Sequence, residues 1–488
     1  MKRIFLFLIL VFFFLFLFPR KALASTYYVN TNSGNDGNLG TQQTSAWKTI
    51  TKAISSIKSG DTVMIASGIY RISSVSFGPA GTSSSNMTIF KSEPGARVIF
   101  STDGDLPPPV HVASYTRLES MWFGGKANSG NAFFTGGSPV SNGIQLVNNT
   151  LFGYNGISQG SAEYTFYQGN RFILMGNGRF DHGLYISGGY TVGQMATHTI
   201  VDNNILIGGE GYGIHGWHNT HDSIVTRNFV TGHFWGLVMD GSDHLIANNF
   251  FWKMTGQAGR EGPWGPWLAG ANTYLINNIL GPNGYAWTSG NTTNTITNNA
   301  FLSSPLLGSQ TITLTRGQEA QELGLSEAEI DSNISSIKQA FSSPISDIFS
   351  NQNIEGYFSK LRMVVPSGSP LYGSGRQWFG QVVNVGPNSL APTSVDGFWN
   401  AFRALGLRDW DRFGNVATNT PSPTLAPTSS PIPTSPDVNG DGKVDGIDYM
   451  TVVIHFGQTT TNGARDGDVN ADGKVDINDL NLIISKIS

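Results

Sequence analysis

Residues 245–252 read LIANNFFW: a short apolar β segment running into an Asn-Asn pair, with a second apolar run directly behind it. The same punctuation recurs in LVNNTLF (146–152), YQGNRFIL (167–174), IVDNNILI (200–207), IVTRNFVT (224–231), LINNILG (275–281) and TITNNAFL (295–302). With the last Asn of each as marker, the positions are Asn149, Asn170, Asn204, Asn228, Asn249, Asn278 and Asn299. They are spaced by about 21 residues, or by more where a loop intervenes, as one coil per repeat of a solenoid requires. Stacked coils pair each strand with the coil above and below, ~4.8 Å away, and leave unpaired edges only at the two ends. Asn suits the recurring bend, because it tolerates left-handed backbone and its amide both donates and accepts along a stack of like neighbours.

Working outward, the chain before the repeats opens with YYVNTNSGNDGNLGT (27–41), a strand entering a turn-rich loop. In TSAWKTITKAISSIKSGD (44–61), Trp47, Ile50, Ile54 and Ile57 recur at helical spacing, with Ser45 as the expected cap and Gly60 as the stop. A lone amphipathic helix before a long β region reads as an end cap. After the repeats, GQEAQELGLSEAEIDSNISSIKQAF (317–341) predicts an amphipathic helix. Together these segments resemble the right-handed parallel β-helix of the pectate-lyase-like superfamily over about residues 26–415. LRMVVPSGSPLYGSG (361–375) and DWDRFGNV (409–416) look like the closing segments common in such proteins. The resemblance implies an all-β solenoid with an N-terminal capping helix. Composition agrees: 60 Gly, 13% charged residues and 11% aromatics favour a turn-rich β protein over a helical bundle.

A net charge of −4 offers no basic footprint for nucleic acid, and the absence of cysteine removes disulfides and thiolate chemistry. The N-terminus has Lys2 and Arg3, an apolar run from Ile4 to Phe18, then Ala22-Leu23-Ala24. That run is shorter than the ~20 residues of a membrane span and has the layout of a signal peptide, so residues 1–24 are expected to be removed and the protein secreted. Residues 417–436, ATNTPSPTLAPTSSPIPTSP, cannot bury apolar surface and act as a semi-rigid spacer. The expected domains are therefore a β-helix at 25–416, the spacer, and a small tail at 437–488.

The tail contains DVNGDGKVDGIDYM from Asp437 and DVNADGKVDINDLN from Asp468. Calcium loops of the EF-hand type take oxygens from loop positions 1, 3, 5, 7, 9 and 12, with Gly at 6. The first loop supplies Asp437, Asn439, Asp441, the Lys443 carbonyl, Asp445 and Asp448; the second supplies Asp468, Asn470, Asp472, the Lys474 carbonyl, Asp476 and Asp479. Short apolar-faced helices follow, with Met450, Val453 and Ile454, then Leu480, Ile483, Ile484 and Ile487. Two calcium ions would hold together a tail too small for much of a core. Asp at position 12, the missing entering helix and the duplication are similar to type I dockerin modules, which implies a cohesin-like domain or cell-surface scaffold as partner, with an intramolecular clasp as the other reading. In that family the positions after the ninth ligand often carry Ser-Thr; here they are Gly446-Ile447 and Ile477-Asn478.

Alignment of the coils by their Asn markers brings DHGLYISGG, GYGIHGWHN, FWGLVMDGS and GPWLAGA into equivalent positions. Alternation turns Leu184, Ile186, Ile214, Leu237 and Met239 inward, and Tyr185, His215, Trp217, Val238, Asp240 and Trp267 outward on one face. Glu210, His218, His221, Lys253, Arg260, Glu261 and Trp264 lie around them, and seven of the nine histidines fall between 182 and 244. Rings beside carboxylates and imidazoles are what a groove for a polysaccharide needs. Two chemistries fit. Glycoside hydrolysis would draw two carboxyl groups from Glu210, Asp240 and Glu261; β-elimination on a uronate would draw a base from His215, Lys253 or Arg260. Tyr185, Trp217, His218, Lys253, Arg260 and Trp267 are the expected sugar-binding groups. A non-catalytic glycan-binding or adhesive surface protein is the alternative, and a monomer is expected in each case. For the tail, the expected outcome of adding a chelator is loss of the circular dichroism of residues 437–488 while the body's signal persists; an isolated tail indifferent to chelator would contradict the loop assignment.

Overall fold

The computed structural model describes residues 24–126, 133–136, 140–175, 178, 181–189, 194–209, 211–256, 264–282, 285–288, 293–301, 308–309, 311–315, 317–361, 364–379, 381, 383–387, 391–392, 394–408, 436–438, 444, 448, 452, 467–470, 472 and 474–486. The expected signal peptide therefore lies outside the described residues, apart from Ala24. Contacts divide the chain into two units, Met1–Thr418 and Asn419–Ser488.

Each coil of the body visits three sheets in turn. Ile200–Asp202 lies in the first, Ile205–Gly208 in the second and Tyr212–Trp217 in the third, before Ile224–Thr226 returns to the first. Among the described residues the first two sheets have 11 strands each and the third has 9, and a short ribbon of Ser141–Asn142, Ala162–Glu163 and Ala196–Thr197 connects the third sheet to the first. Neighbouring coils pair in parallel, as in Ile200↔Ile224 and Leu206↔Val230. This is the right-handed parallel β-helix with a capping helix that the sequence predicts.

Register puts one side chain from each of the first two sheets into the interior at every coil, and up to two from the third. In the first sheet the inward row runs Phe90, Leu118, Leu146, Tyr167, Val201, Val225, Ile246 and Leu275. Phe123, Leu151, Phe172, Leu206, Val230 and Phe251 form the row of the second sheet. All of these are buried in one continuous core, as are Leu184, Ile186, Ile214, Leu237 and Met239, the five positions expected to face inward.

The seven marker asparagines form a single buried ladder. The Asn204 side-chain oxygen accepts from the Asn170 backbone N–H at 2.8 Å and from its amide at 3.1 Å; the Asn204 amide donates to the Tyr167 carbonyl and to the Asn228 oxygen. The same set repeats from Asn149 to Asn299. The two talents expected of one Asn are divided between neighbours: the residue before each ladder position takes the left-handed turn, with φ of 54° at Asn148, Asn203 and Asn298 and 67° at Gly169. Arg227 fills that slot at φ 56° and is anchored by a two-pronged pair to Asp202.

At the N-terminal end the helix spans Ile50–Ser56 and is capped by Thr49, whose oxygen accepts from the Lys52 N–H. Ser45 instead closes a 3-10 turn, Gln43–Ser45, and Trp47 lies before the helix, bridged to Val29. The Asp36 carboxylate accounts for the shift, because it accepts from the Lys48 and Thr49 backbone N–H groups and the Thr49 hydroxyl and so fixes the helix start. The predicted helix of 317–341 is two, Gln318–Gln321 and Glu327–Phe341, separated where Gly324 turns left-handed and Ser326 with Glu329 forms a capping box. With Ile345–Ser350 and Ile354–Leu361 these helices cover the outer side of the second sheet, burying Phe152, Ile173, Ile207, Phe250 and Trp252. Val395–Ala404 covers the outer side of the first, over Phe166, Ile200, Ile224 and Leu245. The closing segment 409–416 lies outside the described residues.

The ladder and the turn beside it are separable by mutation. Asn204→Ala leaves a buried N–H and a buried carbonyl unmatched and is expected to destabilise the body by roughly 3–5 kcal/mol. Asn203→Gly keeps the left-handed turn and should shift stability by less than about 1 kcal/mol. Urea unfolding midpoints of the two variants check this; equal shifts would contradict it.

Candidate functional site

With helices over the outer sides of two sheets, the outer side of the third presents its own row of rings. Register aligns Ser158, Tyr185, His215, Val238 and Trp267 in successive coils. One row along, Ser187 pairs with Trp217, and Asp240 follows the Gly216↔Met239 pair, its N–H donating to the Gly216 carbonyl. His215, Trp217 and Asp240 therefore share one face, and Tyr185 and Trp267 share it with them. The row continues toward the N-terminus through Phe134 and His111, whose rings stack at 4.9 Å.

A third row was not legible by simple alternation. Counting back from the inward Leu184, Ile214 and Leu237 turns His182, Tyr212 and Trp235 inward, yet register sets these three side by side outside the main core. The glycine between is the cause. A Cβ on Gly213 would lie 2.8 Å from Val230, and one on Gly236 2.7 Å from Phe251, both core side chains, so the glycine occupies the inward slot and the preceding ring turns out. The signal was present in the sequence as ring-Gly-aliphatic in three successive coils: HGL, YGI and WGL.

The rings form a connected surface. His215 lies 4.6 Å from Tyr212, 4.7 Å from His182, 5.1 Å from Tyr185 and 5.4 Å from Trp217; Trp267 lies 5.1 Å from Trp235 and 5.9 Å from Trp217. Tyr212, Trp235 and Val238 are buried beneath it, whereas Trp217 and Trp267 are half-buried. Burial, reinforced by His182 and His218, pushes His215 down to about 2, and burial pushes His182 down to about 4. Both imidazoles are neutral near neutral pH, and Nδ1 of His215 meets no hydrogen-bond partner among the described residues. A base so weak is poorly suited to accept a proton in catalysis; a neutral ring and hydrogen-bonding group suits it better. Burial also lowers His218 against the pull of Asp240, and His221 against the pull of Asp243 and Asp240.

Lys253 lies elsewhere. It follows the second-sheet strand Phe250–Trp252, and its ammonium pairs with Glu327 at 2.7 Å and Asp331 at 2.5 Å on the helix Glu327–Phe341. It fastens that helix to the body, which is the physical reason it is not gathered with the outward rings. Glu210, Arg260 and Glu261 lie outside the described residues, as does the side chain of Trp264.

In the tail, Asp476 caps the helix Ile477–Ile484, and Asp479 completes a capping box. The second loop curls on itself: the Asp472 N–H donates to Asp468 and Asn470, the Lys474 N–H to Asp472, and the Asn470 and Asp476 N–H groups to the two Asp479 oxygens. Asp468 and Asp479 are 2% and 0% exposed. Carboxylates so buried in so small a unit, with further oxygen donors on the same loop, fit a hard cation, although no three acidic side chains close on one point among the described residues. Asp448 of the first loop is likewise buried and accepts from the Val438 N–H at 2.7 Å; Asn439, Asp441, Lys443 and Asp445 lie outside the described residues. Ile483 packs with Val438, Val452, Val469 and Val475, whereas Ile484, expected on the same apolar face, is exposed with Ile477 and Leu482.

Residues 435–488 match the dockerin type I domain. Residues 32–78 match a protein family of unknown function, DUF1565. No curated protein matches the chain. Among solved structures, the pectate lyase Pel9A shares 13% identity at a TM-score of 0.43, covering 75% of this chain and 97% of its own. A glycoside hydrolase shares 10% at 0.44, covering 60% and 96%, and an alginate lyase from Paenibacillus sp. str. FPU-7 shares 14% at 0.39, covering 54% and 94%.

The depressed histidines set an acid limit. His182, His215, His233 and His244 fall to about 4, 2, 3 and 4, in each case chiefly by burial, from an ordinary 6.5. Each binds a proton on unfolding below 6.5, so the stability they confer is complete above that value and declines as pH falls. The slope is up to about 1.4 kcal/mol per pH unit for each. Thermal unfolding of the full chain should shift downward between pH 6.5 and 5, where most carboxylates remain ionised; a constant midpoint there would contradict burial of these rings.

Proposed function

We propose that this is a secreted, carbohydrate-active protein that holds a polysaccharide against the outward rings of the third sheet and cleaves its glycosidic bonds. The observation that carries the reading is the alignment of Tyr185, His215, Trp217 and Trp267 with Asp240 on one face. Half-buried indoles give flat apolar supports for pyranose rings, and the neutral histidines supply hydrogen bonds without charge. Hydrolysis needs two carboxyl groups about 5–10 Å apart across the bond. Asp240 is one candidate, with Glu210 or Glu261 as the other. Residues 1–24 serve as the leader that directs export.

The dockerin-type tail attaches the body to a cohesin-like or cell-surface partner. Two calcium ions, held by Asp437, Asn439, Asp441, the Lys443 carbonyl, Asp445 and Asp448 and by Asp468, Asn470, Asp472, the Lys474 carbonyl, Asp476 and Asp479, would neutralise the clustered carboxylates and hold each loop against its helix. Exposed Ile477, Leu482 and Ile484 give the partner an apolar contact.

One observation favours a second reading, a non-catalytic glycan binder: Tyr212, Trp235 and Val238 pack the face from beneath, as a rigid binding surface would be built. Incubation of the chain with a panel of plant, algal and host polysaccharides separates the readings. New reducing ends without unsaturation indicate hydrolysis, unsaturated ends indicate elimination, and retention without products indicates a binder. For hydrolysis, Asp240→Asn should lower turnover about a hundredfold or more while leaving retention intact. Trp217→Ala should weaken retention about tenfold. A wild-type chain that neither binds nor cleaves any member of the panel would overturn the proposal.

A further inference from the structure

A separate cleft of about 800 Å³ lies at the corner between the short ribbon and the first sheet, under the helix Val395–Ala404. It is not part of the ring-bearing face of the third sheet. We propose that it is a second saccharide site, one that takes two or more units of a neutral glycan chain and anchors the body to its substrate. The inference goes beyond the catalytic reading and stands whether or not the third sheet cleaves anything.

The corner residues occupy equivalent places in successive coils and take left-handed backbone: Tyr115 at φ 49°, Gly143 at 64°, Tyr164 at 58° and His198 at 53°. Each tyrosine ring leans onto the next corner. A Cβ on Gly143 would lie 2.4 Å from the Tyr115 ring, so glycine makes room for that ring, and Tyr164 stacks on His198 at 4.2 Å. Because both lean the same way, the rings remain two coils apart, about 10 Å, close to the length of two linked pyranose units. Bulky residues in left-handed backbone are uncommon and strained, and such strain gathers at ligand sites. Tyr164 nevertheless leaves 49% of its surface to solvent.

The opposite wall comes from the helix. Asp396, Trp399, Asn400 and Arg403 project from one side of the helix, at three- and four-residue spacing. Ring faces spaced for a sugar chain, opposite the exposed carboxylate, amide and guanidinium of Asp396, Asn400 and Arg403, match a saccharide. One acid and one base from the helix give no net charge to select a polyanion, so the expected ligand class is neutral.

The test uses the full chain carrying Trp217→Ala, so that the third-sheet face is weakened. Its mobility is followed in native gels cast with xylan, β-glucan, galactomannan or pectate. Retardation by at least one neutral polysaccharide is expected, lost about tenfold in affinity when Tyr164→Ala is added and retained with Tyr164→Phe. Tyr164 is half exposed, and thermal unfolding confirms that each variant is folded. Retardation unchanged by Tyr164→Ala, retardation by pectate alone, or none in any gel would overturn the proposal. A failure of the third-sheet reading shows instead as retardation indifferent to Trp217→Ala.

Discussion

The body depends on the buried amide ladder from Asn149 to Asn299. Each rung satisfies a backbone N–H of the preceding coil, a carbonyl further back and the next amide in line, inside a hydrophobic prism where an unmatched polar group is destabilising. A coil slipped by one residue would break its own rung and both neighbouring contacts and would turn its inward row outward. The apolar core supplies most of the stabilisation, but it is tolerant of small displacements; the ladder is not. Its geometry therefore sets the register for all three sheets, including rows far from it.

That register produces the outward surface. Side chains more than 20 residues apart in sequence are held about 4.8 Å apart in space because their coils are locked. Rings at equivalent positions then accumulate into a strip without any local sequence running from one to the next. Two of the three outer faces are spent on stability: the face of the second sheet is apolar and covered by helices fastened through Lys253, Arg97 and Arg171, and that of the first is covered by Val395–Ala404. The third carries rings that touch each other.

What could be read from the sequence follows the range of the interactions. The ladder was legible because its residue type recurs and its periodicity is intrinsic to a coil, and the inward row was legible from alternation. The start of the first helix was not, since Asp36, thirteen residues before Thr49, decides it. Lys253 looked like a groove residue because its partners, Glu327 and Asp331, lie more than seventy residues later and are brought to it only by the packing of a helix. The ring-Gly-aliphatic rows failed for a different reason. Strict alternation assumes that every residue has a side chain to place, and a glycine whose Cβ position faces the core shifts the phase by one.

That phase shift also governs the electrostatics of the face. By turning His182, Tyr212 and Trp235 outward beside His215, it surrounds the imidazoles with rings instead of water, and desolvation then holds them uncharged. An imidazolium there would face a second one at 4.7 Å between ring centres in a poorly solvated setting. Neutral imidazoles, by contrast, pack against tyrosine and tryptophan with little penalty and still offer a polar edge. Among the described residues, the outward row that carries Trp217 ends at the carboxylate of Asp240, beside imidazoles held uncharged.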